Sequence, residues 1–195
     1  MKKFLLSGFI GLVVNSMQAN IGPQGFDEFK NYYFIETGTF SGDGLAKAIA
    51  CGAFVEFRSI EYQESLYRDS MRRFFGKKNV FLRKGDSAKD LWDMIKDIDK
   101  PATFWLDAHI FPPRTDGGKN CPLIEELEQI GRHPIKTHTI LIDDMHCAGT
   151  ESFDYITKED LIAKLHEINP AYRIYYIPGG DAGEYPQNVM VAVIE

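Results

Sequence analysis

The feature of this sequence that most restricts its fold is a regular alternation of short apolar runs and longer amphipathic stretches. Short apolar runs bounded by turn residues predict buried strands, whereas apolar residues spaced at i, i+3 and i+4 predict helices that cover a sheet. The predicted strands span residues 32–36, 55–61, 80–85, 103–107, 139–143, 173–177 and 188–194. The predicted helices span residues 42–51, 64–75, 90–98, 122–130 and 158–168.

This alternation indicates an α/β chain with a doubly wound, mostly parallel, seven-stranded sheet. The link at residues 178–186 is too short for a helical crossover, so the last two strands are expected to form a C-terminal antiparallel hairpin. A chain of 195 residues is the usual size of one domain. We therefore expect residues 21–195 to form a single domain.

Residues 1–20 are interpreted as a possible signal-like or N-terminal helical segment. Lys2 and Lys3 precede an apolar run at residues 4–14, and the pattern resembles a secretory signal cleaved after Ala19. A helix that packs on the core would have a similar pattern, so both interpretations stay open. The run is too short to cross a bilayer, and no membrane span is expected.

Charge and cysteine content exclude several classes of protein. The formal net charge is −6 and the pI is near 5.4, which argues against a nucleic-acid-binding surface because phosphate binding requires clustered lysine and arginine. Cys51, Cys121 and Cys147 are widely spaced and odd in number, so they predict neither a disulfide framework nor a zinc site. A cytoplasmic location is favoured, and the N-terminal pattern leaves export open.

The most informative motif is a glycine-containing turn between the first predicted strand and the first predicted helix. Glu36 closes the strand, and Gly38 and Gly42 follow it before the helix begins. Glycines allow a tight turn and the close approach of a ligand, and a helix N-terminus presents free backbone N–H groups. The motif therefore predicts a turn that binds a cofactor through its backbone.

Further acids follow the next predicted strands. Glu61 ends the second strand, where a carboxylate can accept hydrogen bonds from both hydroxyls of a ribose, and Asp86 with Ser87 follows the third. Ligands of doubly wound sheets bind outside the carboxyl ends of the strands. These residues are therefore predicted to lie along one cofactor-binding rim.

Two strand ends carry both aspartate and histidine. Asp107 and His109 follow the fourth predicted strand, and Asp143, Asp144 and His146 follow the fifth. Oxygen ligands of this kind suit Mg²⁺ or another divalent cation. The pattern predicts a cation held by the three aspartates, with Asp107 and Asp143 favoured over Asp144 because each directly ends a strand. It also predicts a general base at His109, with His146 as the reserve candidate.

These motifs resemble those of class I S-adenosylmethionine (SAM)-dependent methyltransferases, from about residue 31 to the C-terminus. Glu36, Gly38 and Gly42 are similar to the first motif of that family, Glu61 matches its ribose-binding acid, and Asp86 with Ser87 stands where the family contacts adenine. The aspartates resemble those of metal-dependent O-methyltransferases. The resemblance implies a Rossmann-like methyltransferase fold, with Asp107 assigned to the cofactor as well as to the cation.

The resemblance implies methyl transfer from SAM to an oxygen of a small molecule, such as a sugar-like or catechol-like hydroxyl. Two alternatives remain beside it: a short-chain dehydrogenase that uses NAD(P), and a Rossmann-like module that binds a ligand without turnover. The dehydrogenase is disfavoured because a strand-end acid would lie near a cofactor pyrophosphate. The acceptor and the oligomeric state are left open at this point.

Overall fold

The computed structural model describes residues 25–110, 113–179 and 185–195. Its strands are β1 (Tyr33–Thr37), β2 (Glu56–Glu61), β3 (Val80–Lys84), β4 (Ala102–Leu106), β5 (Thr139–Ile142), β6 (Arg173–Gly179) and β7 (Tyr185–Val193). Its α-helices are α1 (Asp43–Cys51), α2 (Glu64–Arg73), α3 (Ser87–Ile95), α4 (Leu123–Arg132) and α5 (Lys158–Ile168). Short 3₁₀ helices lie at Phe26–Phe29, Met145–Cys147 and Glu151–Phe153.

The strands form one seven-stranded sheet in the order β3-β2-β1-β4-β5-β7-β6. The strands from β3 to β5 pair in parallel, whereas β7 lies antiparallel between β5 and β6. The parallel sheet and its C-terminal antiparallel hairpin confirm the predicted Rossmann-like methyltransferase fold.

The sheet is buried on both faces because successive side chains of a strand point in opposite directions. On β1, Ile35 packs into the cluster that includes residues of α3, α4 and α5, whereas Phe34 packs into the cluster under α1 and the first 3₁₀ helix. On β4, Phe104 and Trp105 divide in the same way, and the Trp105 ring meets Phe26 edge-on. Helices therefore cover both faces, as expected of a doubly wound sheet.

The chain reverses its direction of winding between β1 and β4, which are neighbours in the sheet although two other strands separate them in sequence. Such a switch point leaves a crevice at the carboxyl ends of the two strands, because their connections leave to opposite sides. The backbone continues the pairing past the strands, since Asp107 N donates to Thr37 O at 3.1 Å. This crevice is where a ligand of the fold is expected.

Most element boundaries agree with the sequence prediction, and the largest shift is in α3. The helix was predicted at residues 90–98 but begins at Ser87, because Asp86 caps it by accepting a hydrogen bond from Ala88 N at 3.1 Å. By contrast, α5 matches its prediction, with a capping box between Thr157 and Asp160.

The predicted signal-like segment at residues 1–20 lies outside the described residues. Among the residues that are described, no helix has the length and apolar character needed to cross a membrane.

Candidate active site at the sheet switch point

The turn after β1 fits tightly against the segment that follows β4. Gly38 has a φ of +79°, and a Cβ added to it would lie 2.3 Å from the carbonyl oxygen of Asp107. Gly42 has a φ of +82°, and its added Cβ would lie 2.8 Å from the ring of Phe74. Both glycines are therefore required by the protein's own packing and not only by the approach of a ligand.

Gly38→Ala is expected to lower the free energy of unfolding more than the same substitution at a glycine that has a similar φ but open space around it. Gly76 offers this control, with a φ of +82° and no atom within 4 Å of an added Cβ. Gly76→Ala should cost only the left-handed backbone penalty of about 1–2 kcal/mol, and Gly38→Ala about 1–3 kcal/mol more for the overlap. Urea denaturation of both variants measures the difference, and equal losses would contradict the tight packing.

Glu36 lies beneath the turn rather than on its surface. Its side chain is fully buried, with Oε2 accepting a hydrogen bond from the Ser59 hydroxyl at 2.5 Å, and Oε1 makes no hydrogen bond within the described residues. Burial raises its pKa to about 8, although the bonds from Ser59 and from the backbone of Leu45 oppose this shift. Glu36 was predicted to contact the cofactor, and this stays a prediction; its buried carboxylate lies under the start of α1.

Glu61 joins the turns that follow β1 and β2. One carboxylate oxygen accepts a hydrogen bond from Phe40 N at 2.8 Å, and the other accepts one from Gln63 N at 2.6 Å. The side chain is thus held in one orientation at the rim, and each oxygen keeps a second lone pair. Phe40 has a φ of +46°, so this exposed residue is held in the left-handed region beside the carboxylate.

Asp86 and Ser87 follow the third strand, as predicted, and they also form the start of α3, which was predicted to begin only at residue 90. In addition to its capping bond, the Asp86 carboxylate pairs with Lys89 at 2.7 Å, and Ser87 is buried. Helix capping by itself explains why an aspartate stands at this position, with no ligand needed. The Asp86 side chain is nevertheless 31% exposed. It therefore stays available as a predicted contact of the cofactor.

Asp107, His109 and Asp144 converge beyond the carboxyl ends of β4 and β5, beside the crevice. Each residue offers one atom that could bind a metal ion, and these three atoms all lie within 4.8 Å of one another. His109 Nδ1 is 3.8 Å from Asp107 Oδ1, and His109 Nε2 is 3.5 Å from Asp144 Oδ2. Two of the three aspartates predicted to bind a cation thus meet, with a histidine beside them.

Asp143, the third predicted ligand, lies deeper and is 4% exposed. Its Oδ1 accepts hydrogen bonds from Asp144 N at 2.8 Å and from Asn188 Nδ2 at 3.2 Å. Asp143 therefore helps to position Asp144 through its backbone N–H and adds a negative charge to the site.

Asn188 on β7 connects the acids to His146, and sequence reasoning missed it. Its Nδ2 also donates to Asp144 Oδ1 at 3.1 Å, while its Oδ1 accepts from His146 Nδ1 at 2.6 Å. An amide has both a donor and an acceptor, so one residue can hold a carboxylate and an imidazole together. The only signal in the sequence is a polar residue at the start of an otherwise apolar predicted strand.

The two candidate histidines differ in their exposure. The His109 side chain is 7% exposed and packs edge-on against the Phe153 ring at 5.3 Å, whereas the His146 side chain is 39% exposed. The thiol of Cys147 lies 3.4 Å from His146 Nε2. His146 is therefore the histidine that a ligand entering from solvent meets first.

The electrostatics of this cluster favour a cation. Burial, together with the charges of Asp143, Asp144 and Glu36, raises the pKa of Asp107 well above its ordinary value. Burial lowers the pKa of His109, and the charge of Asp144 opposes that shift. Within the described residues, the ion-pair partners of Asp107 and Asp144 are histidines. The carboxylates of Asp107 and Asp144 lie close together and repel each other when both are charged, and a bound cation would relieve that repulsion.

Sequence comparison finds no matching protein-family model and no matching curated protein. Solved structures do match over most of the chain. A putative caffeoyl-CoA O-methyltransferase from Staphylococcus aureus is 11% identical, covers 87% of this chain and 79% of its own, and has a TM-score of 0.55. An O-methyltransferase from Bacillus cereus, in complex with SAH, is 14% identical, covers 86% and 76%, and has a TM-score of 0.57.

A third match extends the range of acceptors among the similar structures. The N-methyltransferase NodS from Bradyrhizobium japonicum is 9% identical, covers 88% of this chain and 90% of its own, and has a TM-score of 0.56. At these identities the similarity establishes the methyltransferase fold. Because the names include both oxygen and nitrogen acceptors, the acceptor of this chain has to be argued from its own residues.

Proposed function

We propose that this chain is a SAM-dependent methyltransferase that methylates an oxygen of a small-molecule acceptor with the help of a divalent cation. The observation that carries the proposal is the crevice at the switch point of a methyltransferase fold, where Gly38, Glu61 and the Asp107–Asp144 cluster meet one edge of the sheet. A sugar-like or catechol-like hydroxyl is the acceptor class that this cluster suits.

The rim of the crevice fits a cationic cofactor. When bound, SAM supplies a methyl carbon activated by a positively charged sulfur. Glu61 would hold the ribose hydroxyls, since its carboxylate is fixed by two backbone N–H groups and has lone pairs left. The backbone of the Gly38 turn would lie beside the cofactor, and Asp86 would contact the adenine.

Asp107 and Asp144 are the residues that would hold the cation, and Asp143 would strengthen the negative charge behind them. A divalent cation lowers the pKa of a hydroxyl that it binds, which makes the oxygen a better nucleophile. The carboxylates would thereby orient the acceptor oxygen as well as activate it.

His146 is the better candidate for the base that takes the acceptor proton. The sequence favoured His109, with His146 in reserve, but the exposure of the two side chains reverses that order. Asn188 accepts a hydrogen bond from His146 Nδ1 and so directs the other ring nitrogen away from β7. In that tautomer Nε2 is the acceptor, as a general base requires, and the Cys147 thiol at 3.4 Å is a weak donor that an acceptor hydroxyl would displace from it.

The proposal is tested by adding SAM, S-adenosylhomocysteine, NADH and NADPH separately to the purified chain and measuring its melting temperature. A ligand that binds only the native state stabilises it by about 2.7 kcal/mol at a hundred times its Kd. We expect SAM and S-adenosylhomocysteine to raise the melting temperature. Stabilisation by the nicotinamide cofactors alone would identify a dehydrogenase, and SAM binding without methyl transfer to any acceptor would identify a non-catalytic module.

Glu61→Gln is expected to weaken SAM binding by about 10- to 100-fold, because hydrogen bonds to a charged group contribute about 1.5–3 kcal/mol. Titration calorimetry measures the change. Glu64→Gln is the matched control, since Glu64 is an exposed carboxylate at the start of the next helix that pairs with Arg68. Equal SAM affinity in both variants would contradict the assignment of Glu61 to the cofactor.

A further inference from the structure

His109 is a buried histidine whose ring points into a cluster of carboxylates. Its side chain is 7% exposed, and its Nε2 has no hydrogen bond within the described residues. Asp144 Oδ2 lies 3.5 Å away without the geometry of a hydrogen bond. A buried polar nitrogen that makes no hydrogen bond costs free energy, so such an atom calls for an explanation.

The spacing of the cluster suits three ligands of a single ion. Two atoms that each lie about 2.1 Å from a metal are about 3–4 Å apart, depending on the angle between them. His109 Nε2 lies 3.5 Å from Asp144 Oδ2, within that range, whereas the 3.8 Å contact with Asp107 is made by Nδ1, the other ring nitrogen. One ring nitrogen of His109 lies within 4.8 Å of a carboxylate oxygen of each aspartate. The Phe153 ring packs edge-on against the His109 imidazole, with the ring centroids 5.3 Å apart, and so helps to fix the plane of the imidazole.

The chemistry of the ligands bears on the choice of metal. Mg²⁺ prefers oxygen ligands in a regular octahedron, whereas imidazole nitrogen suits first-row transition metals. A ligand set of two carboxylates and one imidazole therefore discriminates against Mg²⁺ more than a set of three carboxylates would.

We propose that His109 is a direct cation ligand, and that Asp107, His109 and Asp144 select a divalent first-row transition-metal ion over Mg²⁺. This inference rests on the proposed function only in placing a cation at this cluster. It changes the role expected of His109 from base to ligand, and it leaves proton transfer to His146.

The first measurement is metal binding by the full chain after treatment with EDTA and dialysis. Titration calorimetry with MnCl₂ and with MgCl₂ gives the two dissociation constants without any need for cofactor or acceptor. We expect Mn²⁺ to bind at least about tenfold more tightly, which corresponds to about 1.4 kcal/mol. The second probe is Co²⁺, whose visible absorption changes with the type of ligand atom.

His109→Gln replaces the ring nitrogen with an amide oxygen at a similar reach. It should remove most of the preference for Mn²⁺ over Mg²⁺ and alter the Co²⁺ spectrum, while the Mg²⁺ affinity changes little. His166→Gln is the control, since His166 lies on α5 and contacts the carbonyl oxygen of Tyr172. The control should behave like the wild type, and thermal melting checks that both variants are folded.

The possible outcomes separate this inference from the proposed function. Tighter binding of Mg²⁺ than of Mn²⁺, or an unchanged metal preference in His109→Gln, would overturn the inference and leave cation-assisted methyl transfer in place. No binding of any of the three ions would overturn both the inference and the cation in the proposed function. The calorimetric titration with SAM tests cofactor binding independently of these metal measurements.

Discussion

His146→Ala is expected to lower kcat by about 10²–10⁴-fold, the usual contribution of a general base, while SAM affinity stays nearly unchanged. The reason is the position of the ring, which is 39% exposed at the mouth of the cluster and oriented by Asn188 at 2.6 Å. The measurement is methyl transfer to an acceptor found by screening hydroxyl compounds, together with calorimetry for SAM.

His166→Ala is the matched control for this experiment, because it removes an exposed histidine far from the crevice. The control should keep the wild-type kcat. Full activity in His146→Ala, combined with a large loss in His109→Ala, would restore the base to the position first favoured by the sequence.

Asp144→Asn is expected to lower the cation affinity and the rate together. A metal acting on the acceptor oxygen contributes several kcal/mol, so the loss in kcat should exceed about 100-fold. The change is conservative, because Asp144 has a φ of +55° and asparagine tolerates the left-handed region well. An asparagine oxygen can also still accept the hydrogen bond from Asn188.

The measurement is the rate with and without EDTA, alongside metal calorimetry. Asp69→Asn is the control, since Asp69 is an exposed carboxylate on α2 that pairs with Arg72, and it should leave both quantities unchanged. If the wild-type enzyme is indifferent to EDTA, the cation has no part in the reaction. If Asp144→Asn retains wild-type metal affinity, the cation lies elsewhere.

The architecture could be predicted from the sequence because burial requires apolar residues to recur at spacings that differ between strands and helices. Strands buried on both faces appear as continuous apolar runs, and amphipathic helices show apolar residues on one face. The prediction failed locally at the start of α3, where Asp86 was interpreted only as a ligand residue although it also caps the helix. Capping and ligand binding favour the same residue types at the same place, so the pattern does not separate them.

Side-chain burial at the rim was less predictable. Both Glu36 and Glu61 end strands, and the sequence assigned both to the cofactor. Both are buried, Glu36 fully and Glu61 at 5% exposure, but Glu36 faces the side of the sheet that α1 covers, whereas Glu61 is held at the edge by the backbone N–H groups of Phe40 and Gln63. The distinction depends on how closely the helix packs over each strand end, which a single sequence does not report.

The sequence by itself determined the order of strands and helices, the parallel sheet with its final hairpin, and the edge at which the acids collect. These follow from local patterns and from the rule that parallel strands share one carboxyl edge. Tertiary structure alone decided that His109 lies between Asp107 and Asp144, and that Asn188 reaches back to Asp144 and His146. The contacts of His109 with Asp144 and of Asn188 with Asp144 and His146 join residues more than thirty positions apart. They are fixed by the pairing and twist of β4, β5 and β7 rather than by any local spacing.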